Sequence, residues 1–325
     1  MTQSHRWRRT LALASAGVLV PAFAGTAAWA QEPESESDAL IEQKVDAGIL
    51  AEIETEGEAE LWVRFQGSPD YQPAFSANDK TDKGAAAVEA AKDFAARSQA
   101  DVVAVLEAAG ADYETFWASS TVKVTGDAEL LADIVAADEV VGVVEAPEYE
   151  IIEPVATDVE TADAAWGVED VNAPEVWDMG YDGTGIVVAT IDTGVKYDHP
   201  ALVEQYRGNN GDGTFTHDYN FFDVQNACLD EAPCDIRGHG THVTGTMVGD
   251  DGQGNRIGVA PGAEWIAVNA CCAGNQAFLT AGQWIAAPTD AEGNDPDPSK
   301  APHIVNNSWG TTLPVHDPFY EDVVA

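Results

Sequence analysis

A run rich in β-branched residues, 185–191, constrains the fold more than any other feature of this chain. Such a continuous run is typical of a strand that is buried on both faces. Similar runs occur at 265–268 and 303–305, and helical patterns at 242–248 and 276–287 lie between the three. Strands that alternate with helices predict a parallel sheet in an α/β domain, with functional groups gathered at the carboxyl ends of the strands.

The residues before Pro154 predict a smaller domain of a different type. Patterned segments follow in this order: a strand at 60–65, a helix at 84–109, strands at 113–118 and 121–124, a helix at 128–136 and a strand at 140–144. The order β-α-β-β-α-β is that of a small ferredoxin-like α+β domain. Residues 31–58, which are rich in Glu, Ser and Asp, are expected to be loosely ordered. A polar, acidic linker follows at 155–165.

The N-terminus has the three parts of an export signal. Three arginines occur within the first nine residues, an apolar run follows at 11–20, and residues 28–30 form a small-x-small cleavage site. We therefore predict a signal peptide at 1–30 and a secreted protein. An N-terminal membrane anchor is the alternative, but Pro21 interrupts a short apolar run. The paired Arg8 and Arg9 weakly suggest twin-arginine export.

The charge of the chain excludes one class of partner. The sequence has 15 basic and 56 acidic residues, a formal net charge of −41, and the acidic residues are spread along its whole length after the predicted signal. Because phosphate binding needs clustered cations, we expect no nucleic-acid partner. No stretch beyond the N-terminus is apolar and long enough to span a membrane. Adaptation to salty or alkaline surroundings and ordinary solubility explain the carboxylates equally well.

Four cysteines in an exported chain favour disulfide bonds over free thiols. Cys228 and Cys234 are expected to close a small loop. Cys271 and Cys272 are adjacent, and adjacent cysteines rarely bridge each other, so we expect one of them to pair with a cysteine beyond residue 325. A zinc site is the alternative, but the spacing fits no common zinc pattern.

The first buried strand ends in a carboxylate, Asp192, followed by Thr193 and Gly194. A charge at the end of an apolar strand is unfavourable unless another group pairs with it. The residue is therefore a candidate functional group. Taken alone, it is more typical of a turn or a helix cap.

Glycines surround a histidine, His239, in the motif at 238–246. They allow its imidazole to enter a tight site and the helix to pack closely against the sheet. Imidazole takes and returns a proton near neutral pH, which suits a general base. A metal pair with His242 is the alternative, but there is no H-E-x-x-H arrangement and no third ligand is evident.

A third motif, 305–310, lies at a predicted strand end. Ser308 lacks the glycines of a G-x-S-x-G nucleophile elbow. We therefore interpret the segment as a turn that lines a cleft.

In their order and context, the three motifs resemble those of the subtilisin-like serine proteases, and residues 282–290 point to the bacillopeptidase F type among them. The resemblance covers residues 60–325 and implies that Asp192 orients the histidine and stabilises its imidazolium. It implies that His239 acts as general base and then as general acid, in the chain order Asp, His, Ser of subtilisins. His242 matches a structural position of that family.

The same resemblance implies how a peptide substrate binds. Ser308, Trp309 and Gly310 match the family segment whose backbone pairs with the substrate and whose side chains border the main specificity pocket. Residues 272–276 would lie near the opposite substrate-binding strand, so that the peptide is held in extended form by strand addition. The small domain resembles a subtilisin propeptide, which assists folding and inhibits until it is cleaved. We expect the cleavage in or near 150–165.

The sequence departs from the family pattern in two respects. Family members carry an oxyanion asparagine in a Gly-Asn segment and the nucleophile in Gly-Thr-Ser, and neither follows Gly310 here. We expect both beyond residue 325, and no peptide cleavage by these residues alone. Ala201 stands where many relatives have a calcium-binding Asp. The loop at 250–252 is interpreted as a solvated turn, with calcium as the alternative; no other cofactor is expected.

We therefore expect a secreted serine endopeptidase made as a zymogen, with polypeptide substrates and its own propeptide as inhibitor. The expected domains are the signal at 1–30, a propeptide at 31–155 with a compact part at 60–147, and a catalytic domain at 156–325 that is incomplete at its C-terminus. Two alternatives remain. One is a non-catalytic protein whose small domain inhibits a separate protease, and the other is a peptide-binding pseudoprotease.

Overall fold

The structure, a computed structural model, describes residues 36–153, 165–229, 232–311 and residue 320. The predicted signal peptide and all of the predicted linker except Ala165 lie outside the described residues. The chain divides into two units, Met1–Ser35 and Glu36–Ala325, and every described residue belongs to the second.

An antiparallel sheet of four strands forms the first part of the described chain. Its strands are β1 (Ala59–Phe65), β2 (Tyr113–Phe116), β3 (Thr121–Gly126) and β4 (Val140–Val144), in the spatial order β2-β3-β1-β4. Successive side chains of a strand point to opposite faces. In β1, Leu61 and Val63 therefore face the domain core, while Trp62 packs on the other side against Phe116 and Leu279.

Six helices accompany this sheet in the described residues: α1 (Glu36–Lys44), α2 (Ala47–Glu56), α3 (Gln72–Ser76), α4 (Lys80–Ser98), α5 (Ala100–Ala109) and α6 (Ala128–Val135). α6 begins where the Asp127 carboxylate accepts hydrogen bonds from the N–H groups of Glu129 and Leu130, which have no partner inside the helix. Its buried face contributes Leu131 and Ile134 to the core. The predicted β-α-β-β-α-β succession is present, with additional helices around it.

The expectation of a loosely ordered segment at 31–58 was wrong for its described part, which forms α1 and α2. Ile49 is fully buried in the domain core, and Leu40, Ile41 and Ile53 pack against that core. These apolar side chains recur at helical spacing between the acidic ones. Their burial stabilises helices that the acidic composition alone would not predict.

The helix predicted at 84–109 is two helices, α4 and α5, which meet at Gln99. The side-chain amide of Gln99 donates hydrogen bonds to the carbonyl oxygens of Phe116 and Thr121, which ties the junction to the turn between β2 and β3. α5 contributes Val102 and Leu106 to the cluster that contains Leu61 and Val63, and α4 buries Val88, Ala91 and Ala95.

A parallel sheet of four strands forms the second part and confirms the predicted α/β fold. The strands of this sheet and of a separate two-stranded sheet are β5 (Glu150–Ile151), β6 (Val187–Asp192), β7 (Phe221–Asp223), β8 (Glu264–Asn269), β9 (Ile304–Asn307) and β10 (Trp309–Gly310). The parallel sheet has the order β7-β8-β6-β9, and β5 pairs with β10 in a separate antiparallel sheet. All six residues of β6 are buried. The short strands β5, β7 and β10 were not predicted.

Helices cover both faces of β6. The described helices of this part are α7 (Trp166–Asp170), α8 (Ala173–Asp178), α9 (His239–Val248) and α10 (Asn275–Ala286), with a 3₁₀ turn at Pro298–Lys300. Ala189 and Ile191 of β6 pack with Phe278 of α10, and Val188 packs on the other side with Val248 of α9. Within the described residues, no helix is both long and apolar enough to cross a membrane.

Two disulfide bonds are present in the described residues. Cys228 and Cys234 form the predicted bridge, with their Cα atoms 5.6 Å apart. The expectation for the other pair was wrong, because Cys271 and Cys272 bridge each other. The peptide bond between them is cis, and their Cα atoms are 3.0 Å apart.

A pair of leucines tests the position of the core in the second part. Leu202 is 1% exposed and packs in the cluster beside α9, whereas Leu229 is 98% exposed. Because a cavity remains when buried methylenes are removed, Leu202→Ala lowers the free energy of unfolding by about 2–5 kcal/mol. The control, Leu229→Ala, changes it by less than about 0.5 kcal/mol. Urea unfolding followed by tryptophan fluorescence measures both, and equal effects would contradict this core.

Candidate active site

Asp192 is the last residue of the buried strand β6, and its side chain is 1% exposed. Its backbone carbonyl accepts hydrogen bonds from the N–H groups of Ala270 and Cys271, each at 2.9 Å. Its carboxylate oxygen Oδ1 accepts a hydrogen bond from the N–H of Thr193 at 2.7 Å. The strand end and the following turn therefore fix the direction of the carboxylate.

His239 is the first residue of α9, and it meets Asp192 across the sheet edge. The distance from His239 Nδ1 to Asp192 Oδ1 is 2.7 Å, and the His239 side chain is 5% exposed. Gly238 before it has φ +83°, a left-handed conformation that favours glycine and turns the chain into the helix. The structure thus brings together the two residues that the sequence predicted as catalytic. His242, one turn further along, is exposed.

The electrostatics of the pair follow from its burial. Desolvation raises the pKa of the Asp192 carboxyl above its ordinary value, and the hydrogen bonds from His239 and Thr193 offset part of that rise. With a proton on Nδ1 donated to the carboxylate, Nε2 of His239 is the nitrogen that can exchange a proton with a reacting group. The arrangement suits general acid–base chemistry.

The contact between strand and helix depends on a glycine. A Cβ atom at Gly240 would lie 2.1 Å from the carbonyl oxygen of Gly194 and 3.1 Å from the side chain of Asp192. Any larger residue would push α9 away from the end of β6. The glycine-rich motif is therefore explained by close approach of two backbones.

Asp235 positions the turn before α9, and the sequence analysis did not identify it. Its Oδ1 accepts hydrogen bonds from Thr193 Oγ1 and from the N–H of Gly238, both at 2.8 Å. Its Oδ2 accepts from the N–H of Thr241 at 2.8 Å and from its hydroxyl at 2.6 Å. One carboxylate thus joins the turn after Asp192 to both sides of His239. An aspartate four residues before His239, with a glycine three positions after it, is a turn signal that could have identified it.

The predicted substrate-binding residues border the same end of the sheet. Trp309 Nε1 donates a hydrogen bond to the carbonyl oxygen of Ile191 at 3.0 Å, and its ring stacks on Phe278 with centroids 3.9 Å apart. Ser308 Oγ accepts a hydrogen bond from Asn306 Nδ2 at 2.9 Å. β10 is therefore held against the strand that ends in Asp192.

A segment of the small domain occupies the space beside this strand, which no sequence pattern indicated. β5 pairs antiparallel with β10, so that Ile151 lies opposite Trp309. The carbonyl oxygen of the next residue, Ile152, is 3.2 Å from His239 Nε2. Tyr149, on the other side, contacts the Trp309 ring edge-on, with centroids 5.3 Å apart. The backbone of residues 150–152 therefore lies within the candidate active site.

Of the residues predicted to lie near the opposite substrate-binding strand, 272–276, one contacts this segment directly. Asn275, at the start of α10, donates a hydrogen bond from Nδ2 to the carbonyl oxygen of Pro147 at 2.6 Å. Its Oδ1 accepts a hydrogen bond from the Tyr320 hydroxyl. The side-chain amide therefore fixes the path of the chain just before Tyr149.

The acidic loop that was considered for calcium is hydrogen-bonded as a turn. Asp250 Oδ1 accepts from the N–H of Gly252, and Asp251 Oδ1 accepts from the N–H of Gln253. Such bonds from a carboxylate to the backbone two residues on are those of Asx turns. Among the described residues, no three His, Cys, Asp or Glu side chains converge in a way that could hold a metal ion.

Two glycines of α9 provide a test of the close approach. Gly240→Ala places a methyl group against backbone and is expected to lower the free energy of unfolding by about 1–3 kcal/mol. The control, Gly245→Ala, adds a methyl group with no described atom beyond its own helix within 4 Å. It is expected to raise stability by about 0.5–1 kcal/mol, because glycine disfavours helix interiors. Denaturant unfolding measures both, and two stabilising substitutions would contradict the packing at Gly240.

Comparison with known proteins gives a consistent set of relatives. Residues 183–323 match the model of the subtilase family. The chain is 51% identical to bacillopeptidase F of Bacillus subtilis (strain 168) over 165 residues, which are 49% of this chain and 11% of that protein. It is 38% identical to the major intracellular serine protease of the same organism over 102 residues, 31% of this chain and 29% of that protein.

A solved structure is also similar to this chain. Fervidolysin from Fervidobacterium pennivorans, a keratinolytic enzyme related to subtilisin, superimposes with a TM-score of 0.44 at 15% identity, over 82% of this chain and 37% of that one. The chain spans about a tenth of bacillopeptidase F and less than a third of the intracellular protease. Asp192 and His239 both lie inside the segment, residues 183–323, that matches the subtilase family model.

Proposed function

We propose that this chain is part of a secreted serine endopeptidase in which Asp192 and His239 are two members of a catalytic triad. The match of residues 183–323 to the subtilase family model supports serine protease chemistry. The observation that carries the residue assignment is the buried 2.7 Å hydrogen bond between His239 Nδ1 and Asp192 Oδ1.

In the proposed reaction, His239 Nε2 takes the proton of a serine hydroxyl while that oxygen attacks the carbonyl carbon of a peptide bond. The same nitrogen returns the proton to the leaving amide nitrogen. Asp192 keeps the other ring proton on Nδ1 and stabilises the imidazolium that forms between the two steps. The serine and the oxyanion asparagine are expected outside these 325 residues, on the resemblance described above.

The proposed substrate is a polypeptide bound in extended form along β10. The pairing of β5 with β10 supports this mode, because it shows that the backbone of Trp309 and Gly310 accepts an antiparallel strand. The contact between Ile152 and His239 supports it further, since such a strand leads its backbone directly to the histidine.

We also propose that the small domain is a propeptide that inhibits the site until cleaved. β5 lies where the substrate strand is expected, so a second peptide cannot pair with the same edge of β10 at the same time. The sheet of the domain also contacts α10. There, Gln283 Oε1 accepts a hydrogen bond from the backbone N–H of Trp117 at 2.7 Å, and Leu279 packs against Trp62.

Export to the cell exterior is proposed from the N-terminus alone. The basic start, apolar run and cleavage site at 1–30 favour secretion. One similar protein is named as an intracellular protease, so the relatives do not decide the compartment.

A peptide-binding pseudoprotease is the second candidate, and the pairing of β5 with β10 favours it equally. A third, a small domain that inhibits a separate protease, rests on the same contacts. The gene downstream of codon 325 separates them. A Gly-Thr-Ser segment there supports the enzyme, and a stop codon favours the other two.

Substitution of each histidine of α9 tests the proposed enzyme in the full-length gene product. His239→Ala removes the proton acceptor and is expected to lower kcat for a fluorogenic peptide by about 10⁴-fold or more. It should also abolish self-processing. His242→Ala, on the exposed side of the same helix, should leave both near their wild-type values. Retained activity in a folded His239→Ala protein would remove the triad assignment.

A further inference from the structure

The position of β5 beside β10 identifies one peptide bond. We propose that the bond between Ile152 and Glu153 is the first to be cut when the small domain is separated from the rest of the protein. This inference rests on the proposed function, because the cut is made by the site that contains Asp192 and His239. It goes beyond the predicted interval, 150–165, to a single bond.

The register of the strand pair carries the proposal. Along β10, Gly310 lies opposite Glu150 and Trp309 lies opposite Ile151. The antiparallel direction then leads the chain towards the end of β6, where the carbonyl oxygen of Ile152 lies 3.2 Å from His239 Nε2. The carbon of that carbonyl group is the atom that a nucleophile beside His239 can reach.

Tyr149 fixes this register through an aromatic pocket. Its ring makes edge contacts with Trp309, Phe278 and Tyr320, with centroid distances of 5.3, 6.2 and 5.3 Å. Such contacts stabilise a pair of rings beyond the burial of their area. A shift of the strand by one residue would turn the tyrosine to the opposite side, because side chains alternate along a strand.

A second anchor acts on the backbone just upstream. Asn275 Nδ2 donates a hydrogen bond of 2.6 Å to the carbonyl oxygen of Pro147. Between Pro147 and the pairing at Glu150, the chain is thus held by a side-chain amide, an aromatic pocket and a strand pair. These three contacts determine which carbonyl group reaches the histidine.

In the described part of the structure, the side chain of Ile152 is 72% exposed, so it contributes little to the position of the strand. The described contacts that place the bond are those of Tyr149 and of the backbone. Replacing Ile152 with another residue of similar size should leave the position unchanged.

The cleavage is an ordinary hydrolysis. A serine hydroxyl oxygen bonds to the carbonyl carbon of Ile152, and its proton passes to His239 and then to the amide nitrogen of Glu153 as the C–N bond breaks. Glu153 becomes the amino terminus of one product, and Ile152 is left as an ester of the serine. Water hydrolyses that ester to the Ile152 carboxylate and restores the hydroxyl. The net reaction consumes one water molecule.

The test follows the full-length gene product during its first minutes after synthesis or refolding. Intact-mass spectrometry and labelling of new amino termini identify the first pair of fragments. We expect one fragment to end at Ile152 and the other to begin at Glu153. Later trimming is distinguished by its later appearance. His239→Ala is run in parallel and should remain uncut.

Each result separates the inference from the function on which it rests. A wild-type protein that hydrolyses peptides but is first cut elsewhere overturns the assigned bond and leaves the proposed function intact. A folded wild-type protein that is never cut, or a His239→Ala protein that is cut as fast as the wild type, overturns both.

Tyr149→Ala tests the anchor independently of the catalytic residues. Loss of the partly buried ring and of its three edge contacts should slow the first cut by about 10- to 100-fold, or move it, because these contacts hold the strand in register. Once separated, the remaining protein no longer contains residue 149, so its kcat for an external peptide should equal that of the wild type. The control is Phe75→Ala, which removes a 73% exposed aromatic ring from the same domain. Equal rates of first cleavage in the two variants would overturn the role of Tyr149.

Discussion

The hydrogen bond between Asp192 and His239 requires a helix start and a strand end to lie closer together than side chains normally permit. Gly240 makes this approach possible, and Asp235 holds it by bonding to both sides of the histidine turn. The carboxylate is almost completely buried, so without the imidazole it would remain in an apolar environment without its principal partner. The helices on both faces of β6 add to the burial of this carboxylate, because they exclude water from the strand that carries Asp192.

The parts of the fold that could be predicted from the sequence are those in which a residue pattern is typical of a single kind of structure. A six-residue strand buried on both faces has a continuous apolar run, and a close helix approach has glycines, so β6 and α9 could be predicted. The two residues expected to form an Asp–His pair are in contact. Strands of two or three residues, such as β5, β7 and β10, are too short to show alternation. Their place depends on partners distant in sequence. Asp235 escaped notice because a turn aspartate is common and only its five hydrogen-bond donors distinguish it.

Two predictions were wrong for physical reasons that the amino-acid composition does not reveal. The acidic segment before β1 forms helices because a few apolar side chains, Ile49 above all, find a core that the rest of the domain supplies. Cys271 and Cys272 bridge each other at adjacent positions, a pairing that no local sequence pattern indicates. The resemblance to a propeptide led to the expectation of a cleavage in or near 150–165, but the residues near 150 show no strand pattern of their own. Their pairing with β10 and its register are seen only in the structure.

The net charge of −41 bears on how the two parts hold together, because acidic residues are abundant in both. Like charges on two packed surfaces repel each other. The described contacts between the small domain and α10 are accordingly mostly neutral. An apolar cluster joins Trp62, Phe116 and Leu279, and the side-chain amide of Gln276 bridges Lys123 and Glu114, accepting from one and donating to the other. An amide can satisfy either sign of charge without carrying one. The small domain thus binds through apolar and amide contacts, and its strand β5 reaches the groove as a backbone strand, which needs no charge complementarity to pair.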